Sequence, residues 1–165
     1  MQGFRSQPAR AYSTILSVDN TCLVEPSLPA PVTSSWSAKL PDKYCRIEIS
    51  RGTRRCQPDG YKMYRLLAPG PWFRSVGPDE FQRRYQDEVL PHLDPAKTFI
   101  ELTTIAAGRI AALLCFEPPE PGPLWCHRAL VSVWFQECLE LNVFEVGQEC
   151  SGCGRRHPKL PQSVA

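Results

Sequence analysis

The segment that decides the fold runs from Arg109 to Phe135, "RIAALLCFEPPEPGPLWCHRALVSVWF". Its first nine residues, Arg109 to Glu117, form a continuous apolar run of strand length, the pattern of a central strand covered on both faces. A proline-rich loop follows. From Cys126 to about Leu141, the residues Leu130, Val131, Trp134, Phe135, Cys138 and Leu141 recur at helical spacing. "NVFEV" then supplies another short strand. Strand, helix and strand in that order make a crossover unit, which sets the two strands parallel in one sheet.

Upstream, "YCRIEIS" (Tyr44 to Ser50) alternates Cys45, Ile47 and Ile49 with Arg46 and Glu48, as a strand with one buried face does. "RGTRRCQPDG" is a basic turn-rich loop, and "YKMYRLLAPGPWFRSVGP" carries an aromatic cluster too hydrophobic for a linker. Pro78 at a first helical position, acidic Asp79 and Glu80, and the spacing of Phe81, Tyr85, Val89 and Leu90 predict a helix ended or kinked by Pro91. Asp94-Pro95 caps a second helix, with Phe99, Leu102, Ile105 and Ala106 as its apolar stripe and its end near Gly108. The fold class is therefore α/β: a small, open, mostly parallel sheet flanked by helices, with long proline-rich loops. Residues 1–43, rich in breakers, read as an irregular lead-in in which only "STILSV" and "TCLVE" suggest strands. Residues 44–147 read as the core domain and 148–165 as a tail containing cysteine and histidine.

The 165 residues suffice for one domain with its own core. Nineteen Lys+Arg against 17 Asp+Glu give a net charge of +2, too small for a whole-molecule field that attracts nucleic acid. Any preference for anions must be local, as at Arg51, Arg54 and Arg55. The eight cysteines do not read as a secreted disulfide framework, because "MQGFRSQPARAYS" lacks the apolar core of a signal peptide. No apolar run approaches the roughly 18 residues of a membrane span. The expectation is a cytoplasmic protein with reduced thiols, without a membrane partner.

In parallel sheets, sites collect at the carboxyl ends of strands, where loops deliver helix N-termini. Glu117 and Cys126-His127-Arg128 map there. A first helical turn favours thiolate over thiol, so Cys126 is the candidate nucleophile. His127 is the candidate proton carrier, Arg128 the candidate clamp for a phosphate or carboxylate, and Glu117 the candidate orienting group. The bland alternative stays open: an Arg128–Glu117 ion pair that fixes the loop, a His127 satisfied by a backbone carbonyl, and a buried Cys126. A phosphatase loop is excluded by spacing, since the sixth residue after Cys115 is Pro121 and the sixth after Cys126 is Ser132.

From about Thr33 to Gly147 the chain resembles the domain of unknown function 488 family. The resemblance is carried by "ISRGTRR", "YRLLAPGPWF", the Asp-Pro-initiated helix and, above all, "LLCFE" followed by "WCHRALVSVWF". It implies a compact α/β domain with hallmark positions Cys115, Glu117, Cys126, His127 and Arg128. Arg51 and Gly52 match the upstream "SRG" segment, which with Cys115 makes these three the candidate ligand-binding residues. The resemblance implies a site but no reaction. The chain departs from the family at the N-terminus, where a Gly-containing first strand is not found.

In the tail, "ECSGCGRRHPKLP" places Cys150, Cys153 and His157 at a spacing that suits zinc, with Gly152 and Gly154 permitting the turn. A fourth ligand would come from Cys56, Cys45, Cys22, His92 or a partner chain, and an unmetallated turn is the competing reading. Three functions remain. One is an enzyme-like domain binding a small anionic or nucleotide-type ligand at the Cys126 helix. Another is a nucleic-acid-binding module using the Arg51–Arg55 loop with Tyr61, Tyr64, Trp72 and Phe73. The third is a structural or interaction protein.

Overall fold

The structure is a computed structural model, and it describes residues 28–52, 55, 58–118 and 124–161. Five strands, β1 (Val32–Ser35), β2 (Tyr44–Glu48), β3 (Lys62–Met63), β4 (Ile110–Cys115) and β5 (Phe144–Glu145), form one sheet in the order β3-β2-β4-β1-β5. Every neighbouring pair is parallel. The helices are α1 (Pro78–Glu88), α2 (Pro95–Ala106) and α3 (His127–Leu139).

The central strand is the apolar run that opens the decisive segment. β4 pairs with β2 on one side and β1 on the other, and from Ala111 to Cys115 every residue is buried. Its alternate side chains enter two different clusters. Ala111 and Leu113 pack with Cys45, Ile47, Ile49 and the helical residues Phe81, Tyr85, Leu102, Leu130 and Phe135. Ala112 and Leu114 pack with Trp36, Leu40 and Tyr44 in a smaller cluster without helical members. The helices thus share one face of the sheet. β2 accordingly departs from the one-sided pattern expected of it: Tyr44 and Glu48, on its second face, are buried as well.

The local signals explain the helix limits. Pro78 opens α1 with Asp79 and Glu80 in the first turn, and the chain leaves it through a 3-10 turn at Leu90–His92 that contains the expected breaker, Pro91. Asp94 caps α2 by accepting from Lys97 N at 2.7 Å, and Ala107 and Gly108 end it with φ of 51° and 83°. The aromatic cluster between β3 and α1 is a core element. Trp72 packs edge-on against Phe81 at 5.0 Å and donates from Nε1 to Glu88 at 2.8 Å. A Cβ at Gly70 would overlap that indole, which explains the glycine in "APGPW".

The lead-in boundary needs correction. β1 lies within residues 1–43 yet is an interior strand, hydrogen-bonded to β4 and to β5. Among the described residues the first strand is "VTSS", which contains no glycine. The strands expected at "STILSV" and "TCLVE" fall outside the described residues. The tail is also part of the fold: Phe144 bridges to Cys153, and Gly154 N donates to Ser132 Oγ at 2.8 Å.

Candidate functional site

β4 ends at Cys115, and the chain re-enters at Cys126, which occupies the position just before the first turn of α3. The strand end and the helix start therefore meet, and three donors meet with them. His127 Nδ1 lies 3.7 Å from Cys115 Sγ and 3.8 Å from Cys126 Sγ. All three atoms lie within 4.8 Å of one another, and all three residues are buried, so the group can hold a metal ion. His127 Nε2 lies 3.1 Å from Ile49 O. A carbonyl only accepts, so Nε2 carries hydrogen; the ring then faces the sulfurs with an Nδ1 lone pair when neutral and with an Nδ1–H donor when protonated.

The electrostatics follow from this contact. Burial pushes the Cys126 thiol up, but the hydrogen bond donated by Cys115 and the positive charges of His127 and Arg128 outweigh it and hold Cys126 well below the ordinary thiol range. Cys115 moves the other way, raised by its hydrogen bond to Cys126 and by burial. For His127, burial acts downward, yet the negative charge and hydrogen bond at Cys126 leave the imidazole above its ordinary value. Burial, with the Cys126 charge, raises Glu117.

These residues line a cavity of about 530 Å³ that also brings in Arg51 and Gly52 from the end of β2. The upstream segment and the two halves of the decisive segment, distant in sequence, are thereby joined at one place. Phe73, Phe81 and Trp125 form apolar wall, and Arg74 adds a second exposed guanidinium beside Arg51. Phe81 and Trp125 meet edge-on at 4.6 Å, while Tyr85 stands 5.6 Å from the His127 ring and donates to Leu67 O at 2.6 Å. Arg74 and Trp125 are not singled out by the sequence, and Phe81 and Tyr85 are read from it only as apolar helix positions. Their only signals, a basic residue after an aromatic pair and apolar helix positions, are those of an ordinary core and surface.

Two expectations change. Arg128, expected as a clamp for an anion, is fully buried and committed within the protein. Its Nε and Nη2 donate to the two Glu145 oxygens at 3.0 Å each, and Nη1 donates to Glu117 O at 2.9 Å. The Glu117 carboxylate is a looser neighbour, 3.8 Å from Nη1. The partner of Arg128 is thus mainly Glu145, a residue the sequence reading did not single out.

The tail is the second change. His157 has both ring nitrogens engaged, Nε2 with Thr33 Oγ1 at 2.8 Å and Glu145 Oε2 at 3.2 Å, and Nδ1 accepting from Lys159 N at 3.1 Å. Cys153 is buried and donates to Asn142 Oδ1 at 3.6 Å, whereas Cys150 is exposed. Among the described residues the only group of three potential ligands is the one at Cys115, Cys126 and His127. Cys-x-x-Cys spacing was the cue for a metal; the residues gathered in space are instead 12 and 1 apart in sequence. Of the fourth ligands considered, Cys22 and Cys56 fall outside the described residues.

The aromatic half of the nucleic-acid reading is largely internal, since Tyr64 and Trp72 are buried in the main core. Among the described residues no helix is long and apolar enough to cross a membrane. Comparisons with family models, with curated proteins and with solved structures find no match to this chain.

Proposed function

We propose that the chain is an enzyme-like domain that takes a small anionic, nucleotide-type ligand into the cavity and acts on it with a zinc ion held by Cys115 Sγ, Cys126 Sγ and His127 Nδ1. The observation that carries the reading is the spacing of these donors. Zinc bonds of about 2.3 Å to sulfur and 2.0–2.1 Å to nitrogen at tetrahedral angles put neighbouring S and N ligands about 3.6 Å apart. The two distances here, 3.7 and 3.8 Å, match that edge. The hydrogen bond from Nε2 to Ile49 O is the outer support that metal-bound imidazoles typically have. Three protein ligands leave a fourth position, as catalytic zinc sites do.

Zinc in such a site would polarise a bound oxygen or activate a water. Arg51 and Arg74 supply the positive charge for the ligand's anionic group, the aromatic wall suits a flat ring, and Glu117 is placed to exchange a proton. A second reading, a metal-free Cys126 nucleophile paired with His127, is favoured by the depressed Cys126 thiol.

Calorimetric titration of the zinc-loaded chain with inorganic phosphate and with adenosine monophosphate tests the ligand class. Binding of the nucleotide that weakens in Arg51→Ala and Arg74→Ala is expected. No heat from either probe at low salt would overturn the anionic-ligand reading.

A further inference from the structure

Behind the three donors lies a second polar cluster that the proposed chemistry does not use. Its centre is Glu145 on β5, a carboxylate with no exposure. It accepts from Arg128 Nε and Nη2 on α3 and from Thr33 Oγ1 on β1 at 2.8 Å, and meets His157 Nε2 at 3.2 Å. Two arms lead from it to the site. Through Arg128, whose Nη1 donates to Glu117 O, it ties the end of the β4 segment, which carries Cys115 and Glu117, to the start of α3, which carries Cys126 and His127. Through His157, which accepts from Lys159 N, it steadies the segment whose Lys159 O in turn accepts from Cys126 N at 2.8 Å.

We infer that Glu145 is the positioning residue of the cysteine–histidine centre, holding its strand-end and helix-start donors in register through Arg128 and His157. The metal readout rests on the zinc-centre reading; a second readout does not. The C-terminal "CSGCGRRHPK" segment, whose Cys-x-x-Cys spacing points to a metal, thereby serves the site as its rear wall. Because apolar packing of the same volume is often as stabilising as a buried ion pair or more so, a charged group buried where four elements meet points to a geometric task. Groups that hydrogen-bond a metal ligand directly are worth about ten- to a hundredfold in metal affinity, and Glu145, acting one residue further out, falls at or below the lower end of that range.

The test uses the full chain with Glu145→Gln and, separately, His157→Gln, which leaves the Arg128–Glu145 pair whole. Leu102→Ala, a truncation of a buried core residue on α2, a helix that supplies no residue to the cavity or to either arm, controls for loss of stability alone. Zinc affinity is read by competition with a chromophoric chelator, and the alkylation rate of Cys126 by iodoacetamide is read by mass spectrometry on the metal-free protein. In both Glu145→Gln and His157→Gln, zinc affinity should fall by up to about tenfold. Alkylation of Cys126 should rise about tenfold, as expected when loss of a supporting hydrogen bond eases local opening. Leu102→Ala should move neither. Folded variants that keep wild-type zinc affinity and wild-type alkylation would overturn the inference. If the wild-type chain takes up no zinc, the zinc reading falls, and the alkylation rates still decide the positioning role. If Glu145→Gln does not fold, His157→Gln decides alone by the same readings.

Discussion

Arg128→Ala removes the cation from a pair in which both side chains are fully buried. The Glu145 carboxylate is left with Thr33 and His157, and Glu117 O loses its donor. Breaking a buried pair by deleting one partner is worth about 3–5 kcal/mol, and the lost hydrogen bond to the carbonyl adds about 1 kcal/mol. The sum of about 4–6 kcal/mol is a large part of the 5–15 kcal/mol that typical domains possess. At about 2–4 °C per kcal/mol for a chain of this size, the midpoint of thermal unfolding should fall by about 8–24 °C. Thermal and urea unfolding followed by circular dichroism measure both quantities. A double variant, Arg128→Met with Glu145→Met, should lose markedly less than the sum of the two single changes, because no uncompensated charge remains. An Arg128→Ala protein within about 1 kcal/mol of wild type, or a double variant as damaged as the sum, would refute the account of this pair as a desolvated, mutually dependent unit.

Other outcomes follow from the same contacts. Burial raises the Glu145 carboxyl, but His157 and Arg128 outweigh it and leave the group below its ordinary value. Its contribution is therefore present above the ordinary carboxylate range and is lost as pH falls through the lower folded value. The stability advantage of wild type over Glu145→Gln should shrink between about pH 6 and pH 3, and a constant difference would contradict the assignment. In the metal-free chain, iodoacetamide should modify Cys126 at a pH below the ordinary thiol range while Cys115 lags; equal pH profiles for the two thiols would contradict the sharing of charge described above. Gly70→Ala forces a methyl into the Trp72 indole and should destabilise by about 1–3 kcal/mol, measured by urea unfolding. A neutral result there would show that the indole moves aside freely.

Much of the architecture is legible because burial writes itself into apolar runs. β4 and α3 are such runs, and caps such as Asp94 mark α2. β1 is hidden for the opposite reason. "VTSS" is polar by composition, yet Thr33 is buried because its hydroxyl meets Glu145 and His157, contacts 112 and 124 residues away in sequence. The site divides in the same way. Cys115, Glu117, Cys126 and His127 are legible because strand-end and helix-start residues must meet in a parallel sheet. The task of Arg128 is not, because an arginine at a helix start looks alike whether it faces a ligand or a buried carboxylate. Glu145 is the deciding partner, and although "NVFEV" reads as a short strand, nothing in it marks its glutamate as a buried carboxylate. The tail cysteines illustrate the converse: spacing suggests a metal turn, whereas His157 gives both nitrogens to the fold.

The central claim is that metal binding belongs to Cys115, Cys126 and His127 at the cavity floor and not to the tail. Zinc content per chain, measured by elemental analysis after loading and gel filtration, tests it on wild type, Cys126→Ser and the double variant Cys150→Ser with Cys153→Ser. The account predicts stoichiometric zinc in wild type and in the tail variant, and its loss in Cys126→Ser. Zinc that survives Cys126→Ser and disappears with the tail cysteines would contradict it.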